Sequence, residues 1–159
     1  MLDSQMKSIK SNNPATHFGT KEWADKNENF INGCKHNCKY CYSKEMAIRF
    51  KRKTTKDWDC EEIRYDSLEK KINKHKEIIM FPSSHDIHPD NINYSIIFLE
   101  KLLTSGSKIL IVTKPHEICI KMICGKFKDF SNSIIFRFSI GSSKSDILKF
   151  WEPGAPSFK

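Results

Sequence analysis

No stretch of this 159-residue chain approaches the ~20 consecutive apolar residues that a membrane-crossing helix needs. The first 13 residues are polar and lack the apolar core of a secretory signal, so a cytoplasmic protein without a membrane partner is expected. A second Cys-x-x-Cys pair is missing, and with it the usual frame of a four-ligand structural zinc site. Internal repeats and low-complexity segments are missing too. Hydrophobic residues at 38% and charged residues at 29% give a globular rather than a disordered composition, in a chain long enough for one domain.

Six cysteines are present, but in a reducing compartment a disulfide framework is not the expected use. Cys34, Cys38 and Cys41 lie within eight residues; Cys60, Cys119 and Cys124 are scattered and read as ordinary core or surface residues. Lysine plus arginine (27) exceed aspartate plus glutamate (19), a net charge of +8 that suits an anionic partner, nucleic acid first. Solvated lysines in a Lys-, Ile- and Asn-rich chain account for that charge equally well.

Residues 1–28 read as a polar lead-in with little regular structure, and 29–159 as the core. A short strand is predicted over 29–32, then the cysteine loop, then a helix over 43–50. A capping-box pattern, Asp66 to Glu69, predicts a helix reaching about Lys74. Further strands are expected at 77–81, 108–113 and 133–140, and helices at 91–104, 145–150 and from Pro115 to about Cys124. Alternation of this kind predicts an α/β fold with a parallel sheet. About four strands fall short of a closed eight-stranded barrel of roughly 250 residues. The barrel is then open and partial, or the sequence is truncated; truncation is preferred.

The cysteine segment reads Gly33-Cys34-Lys35-His36-Asn37-Cys38-Lys39-Tyr40-Cys41. Thiolates are the soft ligands that iron–sulfur clusters and zinc both take. Three in one loop can each reach a different iron of a cubane, leaving the fourth iron open to a small-molecule chelate.

Cys-x3-Cys-x2-Cys with Tyr40 before the last cysteine resembles the signature of the radical S-adenosylmethionine (SAM) superfamily. Met80-Phe81-Pro82-Ser83-Ser84-His85-Asp86, Ile111-Val112-Thr113-Lys114, Phe138-Ser139-Ile140 and Glu152-Pro153-Gly154-Ala155-Pro156-Ser157 are similar to strand-end motifs of its spore-photoproduct-lyase-like branch, often labelled "DNA repair photolyase". The resemblance covers about 29–157, and the cysteine motif is its most specific part.

It implies a partial parallel (β/α) barrel with a [4Fe–4S] cluster on Cys34, Cys38 and Cys41, and SAM cleaved reductively to a 5′-deoxyadenosyl radical. It implies Tyr40 beside the adenine, Ser83, Ser84, His85 and Asp86 at the SAM amino group, and Lys114 and Ser139 at the carboxylate and ribose. A one-electron reductant of flavodoxin or ferredoxin type is the implied partner. The branch's hydrogen-donating cysteine after the second strand has no counterpart between Phe81 and His88, which counts against thymine-dimer repair.

Each residue has a plainer alternative: loop packing for Tyr40, a turn with an aspartate cap for 83–86, a solvated loop lysine for Lys114. Arg137 alternates with Phe136 and Phe138 and needs an anionic partner if it faces inward. The basic run Arg49 to Lys53, with Trp58 nearby, is either a nucleic-acid surface or a solvated helix end. Cys119 and Cys124, on one predicted helix, read as buried apolar residues. Two rivals stay open: a non-catalytic zinc-stabilised nucleic-acid-binding protein, and an inactive cluster-binding fragment.

Overall fold

The computed structural model describes residues 19–157. Four parallel strands form the main sheet in the order β1 (Lys26–Asn27), β4 (Ile78–Met80), β5 (Lys108–Thr113) and β6 (Ile134–Phe138). A separate antiparallel pair joins β2 (Ile31–Asn32) to β3 (Glu62–Ile63). The helices are α1 (Tyr42–Arg49), α2 (Tyr65–Glu69), α3 (Ile92–Thr104), α4 (Glu117–Lys126) and α5 (Ser145–Trp151). An α/β fold with a parallel sheet is therefore present, and neighbouring strands follow chain order.

Period-2 alternation divides the sheet residues between two faces. Ile79, Ile109 and Ile111 join the main core with Phe98, Leu99, Leu102 and Leu103 of α3 and Cys119 and Ile123 of α4. The buried residues of α3 (Ile92, Ser95, Phe98, Leu99, Leu102, Leu103) recur at helical spacing, which is why this segment folds as a helix and docks there. Met80 and Leu110 point the other way, into a small cluster with Ala24. Helices α3 and α4 thus pack on one face, and the other lines an open cavity.

Several local expectations fail for identifiable reasons. The strand in the main sheet is Lys26–Asn27, inside the supposed lead-in, and a 3-10 turn at Gly19–Glu22 precedes it. Residues 1–18 lie outside the described residues. Ile31–Asn32 pairs antiparallel with β3 instead, because Ile31 is needed in the main core beneath α3.

The capping box is not used. Helix α2 starts at Tyr65 with Arg64 as an N-cap lacking a side-chain cap, and it ends at Glu69. Its start follows from pairing: the Arg64 N–H donates to the Phe30 carbonyl at 2.8 Å. Pro115 stands two residues before α4 rather than at its first position. Cys119 is buried as expected, but Cys124 is exposed on the far side of α4.

A cysteine loop and a strand-end cleft

Gly33 opens the cysteine loop at φ +93°, a conformation natural only for glycine. A Cβ there would sit 2.6 Å from the Trp58 carbonyl oxygen and 2.9 Å from that of Cys60. The loop is pressed against the 57–61 turn, and the Cys34 N–H donates to the Trp58 carbonyl at 2.9 Å. Asn37 takes the left-handed bend between the first two cysteines, and its side-chain oxygen accepts from Lys44 Nζ at 2.7 Å. Cys41 caps α1: its sulfur accepts the Lys44 N–H at 3.4 Å, at the helix end that favours negative charge.

Three free thiols thus face one space. Burial pushes the Cys38 thiol up to about 11, and burial, with Asp86 nearby, pushes Cys34 higher still. Thiols in such a place lose their protons to solvent when a cation takes the proton's place on sulfur. Three thiols in one loop are the soft donors that iron–sulfur clusters and zinc both take. Among the described residues, no three or more His, Cys, Asp or Glu are grouped so as to hold a metal ion.

The ends of β4, β5 and β6 form the rest of the cleft, which holds about 380 Å³. Cys34, Cys38, Cys41, Tyr40, Ser83, Ser84, His85, Asp86, Lys114 and Ser139 all line it. Every site residue named from the sequence therefore meets here, from segments up to about a hundred residues apart.

Asn29, which sequence reasoning misses, pins the β4 end. Its side-chain oxygen accepts the Ser83 and Ser84 N–H groups at 2.8 and 2.9 Å, and its amide donates to Ser83 Oγ at 2.8 Å. A lone asparagine before a strand carries no signal for that role.

Asp86 is the hub of the cleft. It accepts from Thr113 Oγ1, from His36 Nδ1 at 3.1 Å, and from the Lys114 and Ile87 N–H groups at 3.0 and 2.8 Å. Burial alone raises its carboxyl, but these donors prevail and hold it below the usual carboxylate range. Both oxygens are thus already engaged.

His36 continues the chain, its Nε2 lying 2.8 Å from His116 Nε2. Burial, with His36 alongside, brings His116 down to about 4, so at neutral pH it is uncharged and shares one proton across that contact.

The Asp86 network makes a prediction. A folded-state pKa below the unfolded one stabilises above the unfolded value, about 3.9, and that stability disappears as pH falls through the folded value. Asp86→Ala should cost about 3 kcal/mol or more at pH 7 in urea unfolding, and the gap to wild type should narrow below about pH 4. A gap constant with pH would refute the assignment.

Lys114 is not a free loop lysine. Its Nζ lies 2.8 Å from Glu152 in an ion pair whose side chains are 6% and 1% exposed. It also donates to the Ser139 carbonyl at 3.4 Å. Glu152 additionally accepts the Tyr40 hydroxyl, and both burial and that bond raise the Tyr40 pKa.

The end of α5 and the segment after it clamp the cysteine loop through backbone bonds from Lys39 N–H to the Trp151 carbonyl (2.9 Å) and from Gly154 N–H to that of His36 (3.1 Å). A Cβ on Gly154 would come within 2.8 Å of the His36 Cα and closer still to the Lys35 carbonyl oxygen. Nothing larger than glycine fits without moving the loop.

His85 is buried against Phe30 and Phe81, and both its ring nitrogens lack partners. Burial lowers its pKa to about 4, so it is neutral. Among the described residues Arg137 has an aromatic partner and no anion, its guanidinium carbon 3.7 Å from the centre of the Trp23 ring.

The basic run differs from its sequence pattern. Arg49 and Arg52 flank the exposed Phe50 ring, each at 5.9 Å. Lys53 is buried and paired with Glu62 at 2.7 Å. Trp58 is buried behind Cys34 and Ala47, because it fills the gap between the loop and α1. It cannot offer a surface for stacking.

Fold and site together define an α/β protein whose parallel strand ends and three-cysteine loop enclose one cleft. Among the described residues, no helix is long and apolar enough to cross a membrane. No family model matches the chain, and no solved structure matches it. It is similar to the uncharacterized protein ORF301 of Acidianus two-tailed virus, 26% identical over 140 residues. That match takes in 80% of this chain and 46% of the viral protein, so the chain spans under half the length of that relative.

Proposed function

We propose that this chain is a radical SAM enzyme of the spore-photoproduct-lyase-like kind, with its sheet forming part of a (β/α) barrel. Cys34, Cys38 and Cys41 hold a [4Fe–4S] cluster, and the adjoining cleft holds SAM. The observation that carries this reading is the convergence of all ten sequence-named residues on one cleft. A cluster held by Cys34, Cys38 and Cys41 would supply one-electron reduction of the SAM sulfonium, in which the S–C5′ bond breaks, methionine leaves and the 5′-deoxyadenosyl radical is free to take hydrogen from the substrate.

The chain's own residues bind, orient and exclude water. The three thiols release their protons on loading, and the elevated Cys38 value makes loading improve as pH rises. Cys41 is aimed by the first turn of α1. Tyr40, tied by its hydroxyl to Glu152, presents a half-exposed ring to the adenine. Lys114 neutralises Glu152, so no bare carboxylate faces the ligand.

Because Asp86 is saturated by its own donors, it sets the shape of the β4 end, and Ser83 and Ser84 are better placed to meet the amino group. No fourth cysteine lines the cleft among the described residues, in keeping with a reaction other than thymine-dimer repair. The external reductant is of flavodoxin or ferredoxin type, and nucleic acid is the substrate class that the net charge of +8 suits.

Anaerobic reconstitution with iron and sulfide should give a brown protein with about four irons per chain. After reduction with dithionite it should release 5′-deoxyadenosine from SAM. A colourless protein retaining one tight zinc would instead favour a structural metal. A brown protein that releases no 5′-deoxyadenosine would leave cluster binding without catalysis.

A further inference from the structure

A second cavity of about 440 Å³ adjoins the cysteine cleft and contains none of the cysteines. Ser83, His85, Asp86 and Ser139 line both. Its other wall is the open face of the sheet, with Met80, Val112 and Arg137 on neighbouring strands and Trp23 opposite.

Two polar side chains of this cavity make no hydrogen bond or ion pair among the described residues. Arg137 is exposed, its guanidinium carbon 3.7 Å from the centre of the Trp23 ring, and it has no carboxylate partner among the described residues. Glu22 is on the same wall, exposed and not ion-paired to it. His85, 7% exposed, has two ring nitrogens with nothing to bond. Buried polar atoms without partners are costly in a folded protein, and a ligand is one reason to retain them. A guanidinium over an indole ring still has N–H donors free for a bidentate oxyanion.

We propose that this cavity is the substrate pocket and that its substrate carries a phosphate or carboxylate held by Arg137, with a second polar group bonded to His85. This rests on the radical SAM reading, because the shared wall is what brings the substrate beside the cysteine cleft. Lys114 is a poorer receptor, since Glu152 already neutralises it. The placement deepens the nucleic-acid suggestion: a phosphate-bearing unit has a receptor here that the exposed lysines do not supply.

Trp23 emission reports on the site, with Trp23→Phe identifying its share of the signal. The full chain is titrated with uridine 5′-monophosphate, with glutarate and with neutral uridine. At least one of the two anions should give a saturable change that uridine does not. Arg137→Gln should weaken that anion by about tenfold or more, and Arg137→Lys should recover part of the loss.

A preference for the nucleotide or for glutarate assigns the anion as phosphate or carboxylate. The proposal is overturned if neither anion saturates, or if Arg137→Gln binds as wild type does. It is also overturned if Arg137→Gln weakens only SAM, which would make the SAM carboxylate the anion. Iron loading of the wild type, measured in parallel, separates the two claims. Anion binding without iron uptake removes the radical reading and keeps the pocket; iron uptake without anion binding does the reverse.

Discussion

Alanine at Cys34, Cys38 or Cys41 is expected to reduce the iron retained after anaerobic reconstitution by at least roughly tenfold, and with it 5′-deoxyadenosine release. Losing a hydrogen-bond partner of a ligand already costs a metal site that much, and here a ligand itself is removed. Cys60→Ala, Cys119→Ala and Cys124→Ala should load as the wild type does. None of those three lines the cleft: Cys60 and Cys124 are exposed and Cys119 sits in the core.

Cys119→Ala does shrink a core side chain, so its stability falls slightly while its iron content does not. Equal loss of iron in Cys60→Ala, or full retention in any one of the loop variants, would remove the three-thiolate assignment.

The Lys114–Glu152 pair is expected to show the largest coupling in the molecule. Removing one partner leaves an uncompensated charge in a nearly dry site, so Lys114→Ala and Glu152→Ala should each cost about 3–5 kcal/mol. Replacing both with apolar residues, as Lys114→Met with Glu152→Leu, should cost less than the sum of the single changes, because no buried charge is stranded. Urea unfolding of the four proteins gives the coupling directly; additive costs would mean that the pair is not buried together in solution.

Glu152→Ala also frees the Tyr40 hydroxyl and loosens the clamp on the cysteine loop. Iron uptake should therefore fall in that variant more than in one of equal stability loss elsewhere.

Cys-x3-Cys-x2-Cys is legible because its geometry is local: three side chains on one short loop must share a neighbourhood wherever that loop goes. The strands at 108–113 and 134–138 are equally legible, since continuous apolar runs between turn signals have few other uses.

Asn29, His36 and Glu152 were not legible in their roles. The contacts of His36 span 50 and 80 residues, and the Tyr40–Glu152 bond spans 112. Nothing in the residues flanking either end specifies the other. Trp58 failed in the opposite direction: an aromatic beside a basic run looks like a surface, and only packing against Cys34 and Ala47 makes it core.

The capping box at Asp66 was overridden because one cross-strand bond from Arg64 fixes where that helix begins. A cap contributes about 1 kcal/mol. Placing Ile31 and Leu68 in the core outweighs it.

By itself, then, the sequence determined the alternation of strand and helix, the parallel sheet and the identity of the three clustered thiols. Each follows from spacing along the chain and from short-range sterics. Only the tertiary structure decided that β1 lies within the lead-in, that Asp86 and Lys114 are already satisfied, and that the buried His85 is not. Which polar groups find partners depends on side chains that meet across long separations, after apolar burial has fixed where the strand ends stand.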